Sequence, residues 1–113
     1  MPRLRIVASP RAGVSIARAG GGVLLTLRGV IDSATAGWLE HLLEDLVEGQ
    51  GNRTVSVDVR RVTAVHVSVL DLLVRSSQLA AARGGRLIVR GPSPAFLVAL
   101  DRAGIVGALD VTD

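Results

Sequence analysis

The sequence predicts a single α/β domain, a mixed and mostly parallel β-sheet flanked by α-helices and opened by a β-hairpin. Three observations carry this expectation. From Val14 onward, β-prone runs alternate with segments of helical periodicity, and strands that alternate with helices pair in parallel through right-handed crossovers. Apolar residues fill 49% of the 113 positions and the mean hydropathy is +0.46, which supports a packed core. No repeat, low-complexity run or linker divides the chain, so residues 1–113 read as one domain.

Taken in order, Leu4 to Val7 reads as an edge strand or an ordered tail. Val14 to Arg18 alternates and runs into Ala19-Gly20-Gly21-Gly22, and Val23 to Arg28 follows as its hairpin partner, because glycine accepts the positive φ of a tight turn. Asp32-Ser33 opens the first helix. Trp38, Leu39, Leu42, Leu43, Leu46 and Val47 recur at helical spacing, with acidic residues between them. Gly49-Gln50-Gly51-Asn52 stops that helix. Arg53 to Val59 is β-branched, with Val55, Val57 and Val59 on one face.

A second helix is predicted from Ser68 to about Arg83, ended by Gly84-Gly85. Ser68 and Asp71 have the S-x-x-D spacing of a capping box, with Ser68 as N-cap. Leu70, Leu73, Val74 and Ser77 can face the sheet. Val69, Leu72 and Leu79 lean the other way, as flanks of the core or as an exposed apolar strip suited to a protein partner. Arg86 to Arg90 is a further strand. Gly91-Pro92-Ser93-Pro94 supplies a turn, an N-cap and a first-turn proline for a third helix, Ala95 to Ala103, stopped by Gly104. Leu109 to Val111 closes the chain as a short strand.

Composition narrows the function. All 13 positive residues are Arg, Lys, Tyr and Cys are absent, and the net charge is only +3. The high pI of about 11.3 reports missing titrating groups, since little between neutrality and arginine can lose a proton. The arginines are dispersed and Trp38 and Phe96 are the sole aromatics, unlike the clustered charge and stacking rings of a nucleic-acid binder. Without Cys there is no disulfide framework or thiolate site. No apolar run reaches the ~20 residues of a membrane span, and no signal-peptide region follows Met-Pro-Arg-Leu-Arg. The expected setting is the cytoplasm.

No catalytic constellation can be assembled. His41 and His66 are the only imidazoles, and neither sits in a metal-binding pattern. G-x-S-x-G and P-loop motifs are missing. The helix-start amides near Ser93 offer an anion-binding option beside their plain capping role. Ser68 combines a capping role with a second one, because a serine at a helix start is a workable phosphoacceptor whose phosphate, about −1.5 to −2 charges, a docked partner would sense.

Four segments in order resemble the STAS domain, the sulphate transporter and anti-sigma factor antagonist family. Gly29-Val30-Ile31-Asp32-Ser33-Ala34-Thr35 is similar to the family's segment before the first helix. Val57-Asp58-Val59 with Val62-Thr63, Gly84-Gly85-Arg86-Leu87, and Gly91-Pro92-Ser93-Pro94 with Leu100 and Gly104 are similar to three later ones. The resemblance implies a mixed sheet with flanking helices and a non-enzymatic regulator that needs no cofactor. Stand-alone members are typically anti-sigma factor antagonists, which bind a serine/threonine-kinase anti-sigma factor and are switched off when it phosphorylates them. Where the family motif reads D-S-S-G, this chain reads His66-Val67-Ser68-Val69, so only the phosphoacceptor serine is retained.

The contact surface implied by the resemblance comprises Asp32 and Ser33, then His66, Val67, Ser68 and Val69, with Leu72 and Arg75 along the second helix. The alternative reading is an accessory subunit bound to the ATPase of an ABC-type membrane transporter. A third is a nucleotide-sensing domain using the amides near Ser93. Direct binding to nucleic acid and insertion into a membrane are not expected.

Overall fold

Six strands and three helices alternate along the computed structural model, which describes residues 5–11, 13–49 and 53–113. The strands are β1 (Arg5–Arg11), β2 (Val14–Ala19), β3 (Gly22–Ile31), β4 (Thr54–Val65), β5 (Arg86–Arg90) and β6 (Asp110–Thr112). Helices α1 (Ser33–Glu44), α2 (Val67–Ala82) and α3 (Pro94–Ala103) fill the crossovers, and a π-helical turn, Asp45–Gly49, extends α1. The expected first strand is realised as β1, while Leu4 and the predicted helix stop at Gln50-Gly51-Asn52 lie outside the described residues.

The strands lie side by side in chain order, β1 to β6. The pairs β1–β2 and β2–β3 are antiparallel, and β3–β4, β4–β5 and β5–β6 are parallel. Three successive crossovers stepping in the same direction with the same hand place all the helices on one face. Alternation along each strand then sorts side chains between a covered and a bare face. Leu25, Val55, Val57, Val59 and Val89 are fully buried and share one core with Leu39, Leu43, Leu73 and Phe96 of the helices. On the bare face stand Thr26, Asp58 and Arg90 in mutual register.

Backbone details secure this stack. The turn into β5 brings Gly85 so close to Arg53 that a Cβ would collide with the Arg53 carbonyl oxygen. Gly104 ends α3 in the left-handed region at φ 69°, where glycine carries no steric penalty.

Three expectations are corrected. Strand β4 runs to Val65 rather than ending at Val59, and β3 runs to Ile31 rather than Arg28. Relative to β3, β4 carries one extra residue between the Thr26 and Arg28 pairings and another between those of Gly29 and Val30. Such bulges let Arg60 and Arg61 both stay exposed while Val62 returns to the core. Helix α2 begins one residue earlier, with His66 as its N-cap, so Ser68 and Asp71 form no capping box. Finally, Val69 and Leu72 are 0% and 3% exposed and Leu79 packs partly buried against the core. Helix α2 lies against α1, α3 and β5 and buries more than one stripe, so of the two readings the core flank is the one that forms, and Val69 and Leu72 are not surface contacts.

The burial of Leu72 has a direct check. Leu72→Ala should lower the unfolding free energy by about 2–5 kcal/mol in urea titrations. A loss of less than about 0.5 kcal/mol would place the side chain at the surface.

Candidate functional site

The parallel strands β3, β4 and β5 all end at one edge of the sheet, where each hands over to a helix. In open α/β sheets this edge is where binding sites form, because loops and helix starts converge there. Asp32, at the end of β3, caps α1: its Oδ1 accepts the Thr35 amide at 2.9 Å and the Thr35 hydroxyl at 2.8 Å. Ser33 is exposed beside it. The His66 amide donates to the Ile31 carbonyl at 2.9 Å, which holds the start of α2 against the start of α1.

His66 makes the chemistry of this edge specific. Its backbone is extended, at φ −75° and ψ 146°, and its side chain turns back as the cap. The Ser68 amide donates to His66 Nδ1 at 3.1 Å, and the Ser68 Oγ lies 2.7 Å from the same nitrogen. A nitrogen that accepts the amide carries a lone pair and no proton, so the hydroxyl must donate to it as well. The Ser68 amide and hydroxyl thus converge on one ring nitrogen of His66. Ser68 itself is half-buried.

Next to this pair lies an apolar groove of about 560 Å³ between α2, the end of β4 and α3. Val65, Val67, Pro94, Val98 and Arg102 line it. Val67 is 58% exposed and Val98 50%, so the groove beside the start of α2 presents uncovered apolar surface. Ser93 is buried and already engaged: its hydroxyl donates to the Val62 carbonyl at 2.7 Å and accepts the Phe96 amide at 3.1 Å. It anchors α3 to β4.

The structure thus brings Asp32, Ser33, His66, Val67 and Ser68 to one edge. Val69 and Leu72 are withdrawn into the core. Arg75 sits two turns along α2, paired with Glu40 at 3.5 Å and Asp71 at 3.4 Å. Val98 and Arg102, which line the groove, were missed by the sequence reading, although Leu97-Val98 adds apolar residues beyond the stripe that α3 needs for Phe96 and Leu100. Among the described residues no group of three His, Cys, Asp or Glu side chains could hold a metal ion, and no helix is long and apolar enough to cross a membrane.

A family model described as "Mlab, STAS domain" matches residues 14–110. Among curated proteins no match was found. An anti-sigma factor antagonist from Mycobacterium paratuberculosis superposes with a TM-score of 0.75 at 18% identity, over 88% of this chain and 83% of that one. The anti-sigma factor antagonist SpoIIAA in its unphosphorylated form superposes with a TM-score of 0.70 at 18% identity, over 100% of this chain and 89% of that one. The protein Mglu aligns at 30% identity and a TM-score of 0.60 over 69% of this chain, which spans only 19% of Mglu.

Substitutions separate the two residues at the start of α2. His66→Ala removes the cap and should cost about 1 kcal/mol in chemical denaturation. Ser68→Ala keeps the amide-to-imidazole bond and should cost less than about 0.5 kcal/mol. The reverse order would return the cap to Ser68.

Proposed function

This chain belongs to the STAS domain family, and on that footing we propose that it is an anti-sigma factor antagonist, a non-catalytic regulator that docks a serine/threonine-kinase anti-sigma factor through the edge around Ser68. The observation that carries the reading is the placement of Ser68. It is a half-buried hydroxyl at a helix start, bonded to His66 and next in the chain to the exposed Val67, which lines the apolar groove. The fold is shared with SpoIIAA, whose phosphorylated form superposes with a TM-score of 0.64 at 17% identity over 100% of this chain and 92% of that one.

The chemistry of the site gives the switch a mechanism. With Ser68 unmodified, a partner can cover the exposed Val67 and the apolar groove beside it at little desolvation cost. A phosphate there adds about −1.5 to −2 charges, and burying them unpaired under a docked partner is unfavourable. Phosphorylation also removes the hydroxyl hydrogen that His66 Nδ1 accepts and sets phosphate oxygens against its lone pair. The ring must then turn away, which releases the Ser68 amide from its cap. Modification of one oxygen therefore alters both the charge of the edge and the geometry of the start of α2.

Val67 and Val69, in place of the small residues of the family motif, favour a second reading in which the same edge makes a constant contact without phosphorylation. The partner is then the ATPase of a membrane transporter.

Affinity capture with wild type, Ser68→Ala and Ser68→Glu, followed by intact-mass analysis of the bait, tests both. For the antagonist, an anti-sigma factor is retained by wild type and Ser68→Ala, Ser68→Glu binds at least about tenfold more weakly, and wild type gains one phosphate with kinase and ATP. Equal binding by all three, with no phosphate gained, rejects the switch.

A further inference from the structure

The bare face of the sheet carries a second feature, unconnected with Ser68. A trough of about 600 Å³ runs along β4, with Arg53 at one end and Arg60 and Arg90 at the other. Thr54, Ser56 and Asp58, alternate residues of β4, line it between them. Seven residues of strand at ~3.3 Å each separate Arg53 from Arg60 by about 23 Å.

The arginines at the far end are built in. The Arg90 Nε donates to the Ser56 Oγ at 3.2 Å, which holds that side chain over the strand. The Arg60 guanidinium lies against Gly91, where a Cβ would collide with it. Among the described residues, carboxylates pair with Arg75, Arg83 and Arg86, whereas none lies within ion-pair distance of Arg53, Arg60 or Arg90. Asp58 is the one carboxylate in the trough, and its Oδ1 accepts the Arg60 amide at 2.9 Å, so it serves the bulge. Three guanidinium groups against one carboxylate leave the trough strongly positive.

We infer that the trough is a docking site for an extended acidic segment of a protein partner. Its carboxylates would meet Arg60 and Arg90 at one end and Arg53 at the other, and its backbone would hydrogen-bond the Thr54 hydroxyl. Guanidinium forks suit carboxylates, and the charge spacing matches about seven residues of extended chain rather than one small anion. A single nucleic-acid strand would want rings to stack on, and the only two aromatics, Trp38 and Phe96, belong to α1 and α3 on the other face.

The test is fluorescence anisotropy with a labelled synthetic peptide of about eight residues, Glu at both ends and Gly-Ser between. A Gln-for-Glu version and a labelled single-stranded RNA serve as comparisons. The Glu peptide should bind, weaken as salt rises from about 50 to about 300 mM, and outbind the Gln peptide by about tenfold or more. Arg60→Glu and Arg90→Glu should each weaken it about tenfold, while Arg102→Glu, in the α2–α3 groove, should change it less than about twofold. Arg60→Gln and Arg90→Gln supply the same comparison if a reversal unfolds the domain. No binding, equal binding of the Gln peptide, tighter binding of the RNA, or an equal loss on Arg102→Glu would overturn the assignment.

Discussion

Strand β4 must be apolar on one face and polar on the other, because the three crossovers around it put every helix on the same side of the sheet. Val55, Val57 and Val59 are completely buried under those helices. Ser56 and Asp58 alternate with them on a face that no helix covers. The strand also sets the geometry of both candidate sites. Its C-terminal end, fixed by the bond from the His66 amide to the Ile31 carbonyl, positions Ser68. Its polar face forms the floor of the arginine-lined trough.

The two sites differ in physical character. The edge around Ser68 joins the exposed Val67 and an apolar groove to a hydroxyl bonded to His66. Apolar contact of this kind is weakened by any charge brought into it unpaired. The trough is polar and salt-sensitive by construction, and such contacts tune encounter and choice of partner more than raw affinity.

Much of the fold was legible in the sequence because its pattern and its punctuation agree. Alternation of Val55, Val57 and Val59, the stripe of Leu39, Leu43 and Leu46, and the turn at Gly91-Pro92-Ser93-Pro94 each point to the element that forms. The continuation of β4 was hidden because Arg60-Arg61 breaks the period of two, and a bulge is visible only once β3 is paired beside it. The cap of α2 was assigned to Ser68 because serine is the commoner capping residue, whereas here the imidazole of His66 reaches the amide. Val69 and Leu72 misled because a helix wedged between two others is apolar on more than one side. The trough draws Arg53, Arg60 and Arg90 from positions up to 37 residues apart, and only the sheet register reveals their proximity.

The central claim is that a protein partner covers the edge where β3 and β4 end. Amide chemical-shift mapping of the isotopically labelled domain, titrated with its captured partner, tests this most directly. The account predicts that signals from Ile31 to Ser33, Val65 to Val69 and Ala95 to Arg102 shift or broaden together, while those of β2 stay in place. A footprint centred on β2 or β6 that leaves Val67 and Ser68 unperturbed would contradict it.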